Sequence, residues 1–155
     1  MSIAQLRRAG FLACILTVGL WAADSPFVGT WKLNMEKSKL AASGLGQTSV
    51  TVEATASGLK STVTGVNAKG EPVNFSYDAT LDGKTATVTG SPTVESVALN
   101  QVNDHHIQAT GTKGGKTVYT DHRHVSKDGK TMTIQRAATN AEGKKYHATM
   151  VFDRQ

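Results

Sequence analysis

The chain of 155 residues has a single cysteine, Cys14, and it sits in an N-terminal apolar run. Past residue 23 there is none, so the remainder has neither a disulfide nor a thiol nucleophile. A Gly-x-Ser-x-Gly elbow is missing, as are paired carboxylates placed for acid–base work. Gly114-Gly115-Lys116 is no phosphate loop, because it precedes a strand pattern and a phosphate loop opens a helix. No helical pattern is long enough for a crossover connection, which excludes a parallel sheet. A strong charge of one sign is also missing. Arg7 and Arg8 belong to the N-terminal segment, and without them 15 basic residues face 12 acidic ones, a net +3. Lys69, Lys84, Lys113, Lys116, Lys127, Lys130, Lys144 and Lys145 flank turns and form no basic patch interleaved with aromatics. Nucleic acid is therefore not an expected partner.

Residues 1–23 follow the order of a secretory signal peptide. Arg7 and Arg8 make a basic start, an apolar run extends from Phe11 to Leu20, and Ala22-Ala23 precede Asp24-Ser25-Pro26. The run falls short of the roughly 20 residues a membrane span needs. The reading is a leader over 1–23, with an uncleaved anchor as the alternative. A domain over 24–155, periplasmic or secreted, keeps no stable membrane span after processing. It is long enough for one core.

Strand patterns dominate that domain. Phe27, Gly29, Trp31 and Leu33 alternate with Val28, Thr30, Lys32 and Asn34. Met35 to Leu40 suits one or two helical turns, and 41–47 reads as loop. Further strands are expected at 48–56, 59–66, 72–80, 84–90, 94–102, 105–112, 116–126, 131–139 and 144–154, rich in Thr and Val. Five connections share one four-residue form ending in Gly, at Gly70, Gly83, Gly115, Gly129 and Gly143. That form suits a type I turn closed by Gly at positive φ. Sequential strands are then neighbours. The expected fold is all-β, a ten-stranded antiparallel up-and-down barrel, whose closure removes exposed edges.

The same turn form predicts register. Ser126 is expected opposite Lys130, His124 opposite Met132, His122 opposite Ile134 and Thr120 opposite Arg136. Asn140 opposite Lys144 places Ala138 against Tyr146, Ile134 against Met150 and Met132 against Phe152. Leu99 falls opposite Gln108, and His106 opposite His122. The interior face so predicted holds Val97, Leu99, Met132, Ile134, Tyr146, Met150 and Phe152. Gln108, Thr120, His106, His122, His124 and Arg136 join them. Asp121, Arg123, Thr131, Thr133, Gln135, Lys145, Thr149 and Asp153 fall outside. A slip of one residue exchanges the faces.

Gly29-Thr30-Trp31 in the first strand, ten strands, and Thr149-Met150-Val151-Phe152-Asp153-Arg154 at the end resemble the calycin superfamily. The likeness is to its fatty-acid-binding-protein branch and to exported bacterial lipocalin-like proteins, over residues 26–155. It implies a ligand-holding barrel in which Arg154 packs across Trp31, with Gly29, Trp31 and Arg154 as structural residues. Two features depart from it. Residues 35–47 are too few for a helix-turn-helix lid, and Met150 and Phe152 stand where that branch clamps a carboxylate with Arg and Tyr. Fatty-acid specificity does not carry over.

The expected function is an exported binding protein for a small apolar or amphipathic ligand, anionic ones included. The candidate ligand contacts are His106, His122, His124, Arg136, Ile134, Tyr146, Met150 and Phe152. An inward Arg136 needs an anion, a buried carboxylate or water. Phe75 and Tyr77 suit core or pocket lining, and His147 faces solvent. The three histidines are of the type that takes zinc or copper; no carboxylate accompanies them, and neither metal nor cofactor is assigned. No catalytic residue is assigned either. The alternatives are a cavity enzyme using His122 and His124 as acid and base, or an envelope or inhibitor protein with a filled interior.

Overall fold

A computed structural model describes residues 25–40 and 44–155. The expected leader, with Cys14, lies outside the described residues. The strands are β1 (Gly29–Leu33), β2 (Leu45–Ala54), β3 (Gly58–Asn67), β4 (Pro72–Thr80) and β5 (Asp82–Thr87), then β6 (Ser96–Asn103), β7 (His106–Lys113), β8 (Lys116–Val125), β9 (Thr131–Thr139) and β10 (Lys145–Arg154). No helix occurs among the described residues. The helical turn expected after β1 is a plain turn. Its Lys37 N–H donates to the Asn34 side chain, and the Ser38 hydroxyl donates to Asn34 O. The loop expected over 41–47 ends sooner, because β2 starts at Leu45.

All ten strands form one antiparallel sheet in the order β4-β3-β2-β1-β10-β9-β8-β7-β6-β5. The last strand pairs with the first, Trp31 opposite Arg154 and Leu33 opposite Phe152. The sheet curls until β4 meets β5. That seam is held by one antiparallel bridge, in which Ser76 and Thr89 exchange both backbone hydrogen bonds at 2.9 Å. The result is a nearly closed up-and-down barrel.

The two ends differ. One holds Phe27, Arg154 and the turns at 54–58, 80–82, 103–106 and 125–131. Trp31, Leu59, Leu99, Ile107 and Met150 are fully buried in the wall and core above it. Each such side chain contributes about 1.5–3 kcal/mol by leaving water. The Trp31 indole N–H donates to Phe27 O at 2.9 Å, so its one polar atom is satisfied. The opposite end, with the connections 67–72, 87–96, 113–116 and 139–145, is the mouth.

Register agrees with expectation on one side of the barrel and differs on the other. β9 and β10 pair as expected, Ala138 opposite Tyr146 and Met132 opposite Phe152. β8 is displaced by one residue against β9: Val125 faces Met132, Arg123 faces Ile134 and Asp121 faces Arg136. The cause lies in the turn. Ser126 N–H donates to Thr131 O, one residue beyond the expected partner, while Lys130 O accepts from Arg154 N–H. The Arg154 guanidinium also takes Gly129 O. The last strand thus captures two carbonyls of this turn, and Lys130 drops out of the β8–β9 ladder.

β7 follows β8, with Ile107 opposite Arg123 and Ala109 opposite Asp121. Their turn has the two central residues Gly114 and Gly115, both at positive φ, where four ending in Gly115 were expected. β7 is also displaced by one residue against β6, so Leu99 faces Ala109, not Gln108. Two slips of one residue, β8 against β9 and β7 against β6, therefore exchange the faces of the two strands between them: His106, Gln108, Thr120, His122 and His124 turn outward. Asp121 and Arg123, expected outside, turn inward.

Candidate functional site

Inside the barrel is a cavity of about 640 Å³. Of the expected contacts, Ile134, Arg136, Tyr146, Met150 and Phe152 line it. Phe75 and Tyr77 do so too. His106, His122 and His124 do not; they stand on the outer wall near the closed end. None of the described histidines lines the cavity.

At mid-height the wall carries a charged cluster whose centre is a residue expected outside. Asp121 is 0% exposed and accepts two hydrogen bonds from Arg136, Nε to Oδ1 at 2.7 Å and Nη2 to Oδ2 at 2.8 Å. This is the planar fork-to-carboxylate fit that favours arginine over lysine. Arg123 Nη2 reaches the same Oδ2 at 3.2 Å, and its Nη1 donates across the barrel to the Tyr77 hydroxyl at 2.7 Å. The Arg136 guanidinium lies 4.1 Å from the centre of the Tyr119 ring.

Small residues make room for this group. Ala109 stands opposite Asp121, Ala148 opposite Arg136 and Gly111 opposite Tyr119. A Cβ on Gly111 would run into the Tyr119 ring. Burial works against the Arg136 charge, but the Asp121 carboxylate outweighs it and raises the pKa. Burial pushes Tyr119 up to about 12, so its phenol keeps its proton.

The cluster is not self-satisfied. Two guanidiniums share one carboxylate, which leaves one net positive charge. Arg123 Nε is buried without a hydrogen-bond partner, and a buried donor of that kind costs stability until something accepts from it. The Tyr77 hydroxyl already accepts from Arg123, so its own proton is free to be donated. The Arg123 and Arg136 side chains keep 14% and 19% of their surface, and both line the cavity. Above them the wall toward the mouth is largely apolar, with Val63, Val73, Phe75, Val94, Val118 and Ala138.

At the closed end Gly29, Trp31 and Arg154 come together. The Arg154 guanidinium lies 4.2 Å from the centre of the Trp31 ring. It donates to Val28 O and Pro26 O, each at 2.7 Å. Gly29 has φ +140°, and a Cβ there would overlap the Arg154 guanidinium.

The residues missed by the sequence are Asp121, Arg123 and Tyr119. A signal for them existed: Tyr119 and Val125 bracket Asp121 and Arg123 at the same parity, and Ile107, Ala109 and Gly111 form the apolar face of β7. The assumed turn overrode that pattern. No family model matches the chain, and none of the curated proteins matches it significantly.

Proposed function

We propose that this barrel is a lipocalin-like binding protein that holds a small amphipathic monoanion, its acidic group at the charged cluster and its apolar body toward the mouth. One observation carries the reading: a charged cluster with an excess guanidinium, its two arginines lining a cavity whose wall is otherwise more apolar than polar. A single carboxylate or sulfonate balances the remaining charge. The exposed edges of the Arg123 and Arg136 guanidiniums and the Tyr77 hydroxyl are the donors it would meet. The wall from Arg136 to Thr139 at the rim is about 10 Å high at 3.3 Å per strand residue, which sets the length of the covered body. The calycin resemblance and the leader-like pattern of residues 1–23 support an exported ligand carrier.

Catalysis by His122 and His124 in the cavity has no support from their position on the outer wall. The test is native mass spectrometry of protein purified from its own host, together with titration of the stripped protein with anilinonaphthalene sulfonate. A retained acidic small molecule, or saturable dye binding displaced by medium-chain carboxylates and not by the matching alcohols, is the expected result. A protein that retains nothing and binds no dye has a filled interior, and the proposal fails.

A further inference from the structure

A second constellation stands on the outer wall, on the far side of the sheet from the cavity. β7 and β8 pair with His106 opposite His124 and Gln108 opposite His122. Side chains two apart on a strand share a face, so His122 and His124 project together with His106 across the ladder. His106 Nε2 and His122 Nδ1 are 3.1 Å apart. The His124 ring stacks on His106, centroids 4.0 Å apart and planes 22° from parallel. His122 and His124 are exposed and His106 is partly so.

The 3.1 Å separation has a chemical meaning beyond a shared proton. An ion bound at 2.0–2.1 Å to two imidazole nitrogens holds them about 2.9–3.4 Å apart for angles between right and tetrahedral. The nitrogens already have that spacing, and exposed rings need only turn to aim both lone pairs at the ion. The ladder positions facing the three histidines from the flanking strands are neutral: Asn103 on β6, Thr133 and Gln135 on β9. No cation at those positions repels an ion.

We propose that His106 and His122 form a two-nitrogen chelate for an imidazole-preferring divalent cation of the copper, nickel and zinc group, with water completing its shell. His124 acts as a positioning residue that holds the His106 ring by stacking. Among the described residues no three His, Cys, Asp or Glu are gathered as a metal-holding group, so the site has two protein donors. Copper(II) binds tightest in this series, while magnesium and calcium require oxygen ligands and are refused.

The experiment is calorimetric titration of the purified protein with Cu²⁺, Ni²⁺, Zn²⁺ and Mg²⁺, with imidazole proton spectra as a second readout. One equivalent of Cu²⁺ binds, with shifts confined to these rings, and Mg²⁺ does not. Affinity falls in acid as protons compete for the nitrogens. His106→Gln and His122→Gln each weaken Cu²⁺ binding by at least about ten-fold, since even second-shell losses reach that size, whereas His124→Phe keeps the stack and the binding. Circular dichroism checks the fold of each variant, and these exposed positions tolerate substitution. Absence of saturable binding, binding that survives the His106→Gln/His122→Gln double variant, or loss of binding in His124→Phe would each overturn the proposal.

Discussion

The Arg154 guanidinium covers the Trp31 indole at 4.2 Å and at the same time donates to carbonyls of Pro26, Val28 and Gly129. One side chain thereby ties the last strand to the first and to the β8–β9 turn. The register of β8 against β9 follows from that tie, because the captured turn displaces β8.

Arg154→Ala strips three carbonyls of their donor and removes the cation from the indole. Unfolding free energy should fall by about 2–4 kcal/mol, combining the stacking with lost charge-assisted hydrogen bonds. Arg154→Lys should recover only a minor part, because an ammonium cannot reproduce the fork. Urea denaturation measures both; a loss under about 0.5 kcal/mol for the alanine variant contradicts the assigned role.

Gly29 owes its identity to the same contact. Gly29→Ala combines an unfavourable positive φ with overlap on Arg154, and should cost more than about 1 kcal/mol. The overlap component disappears in an Arg154→Ala background, so a double-mutant cycle should show coupling. Strict additivity would show that the two residues do not meet.

Asp121 is the counter-ion of two inward arginines. Asp121→Asn leaves both without a carboxylate and should cost about 3–5 kcal/mol. The variant should also bind anilinonaphthalene sulfonate more tightly than the parent, since the competing internal anion is gone. A stable variant with unchanged dye affinity would remove Asp121 from the proposed anion site.

Arg123 has the unsatisfied Nε. Arg123→Met should weaken binding of the anionic dye about ten-fold or more, the equivalent of one charge-assisted hydrogen bond. Its effect on stability should be small, because the same change deletes an orphaned buried donor. Fluorescence titration reads the first quantity and thermal melting the second. Equal dye affinity in variant and parent contradicts the assignment.

His106 makes the protein weakly sensitive to acid. Burial, His124 and His122 place its folded pKa below the ordinary 6.5. The folded state therefore binds fewer protons than the unfolded one, and stability is full above pH 6.5. It should decline as pH falls from 6.5 through the lowered folded value, with no further loss from this group below that. Melting temperatures across pH 5 to 7.5 should show the decline, and His106→Gln should flatten it. An identical slope in that variant would place the acid sensitivity elsewhere.

Local chemistry made most of the elements legible. Strand ranges read from Val and Thr alternation match β3, β4, β7, β9 and β10 closely, because those segments meet their partners through ordinary hairpins. The Asn67-to-Gly70 and Asn140-to-Gly143 turns close as expected, each Gly at positive φ. Inward placement of Ile134, Arg136, Met150 and Phe152 followed from the second of these. Asp121 and Arg123 were assigned to the wrong face for a single reason: Lys130 leaves its hairpin to serve Arg154, a residue 24 positions later. A rule about the turn alone contains no term for that competition.

The order of residues by itself determined that the chain becomes strands and that most neighbours in sequence pair; the meeting of Trp31 and Arg154 was implied by the calycin resemblance. The strands and their pairing depend on side-chain alternation and on turn glycines, which act over a few residues. The tertiary structure alone decided which face of β7 and β8 looks inward. A pleated strand is indifferent to a shift of one residue until a distant side chain takes one of its carbonyls. That choice put a carboxylate between two guanidiniums inside the barrel and left three imidazoles in solvent.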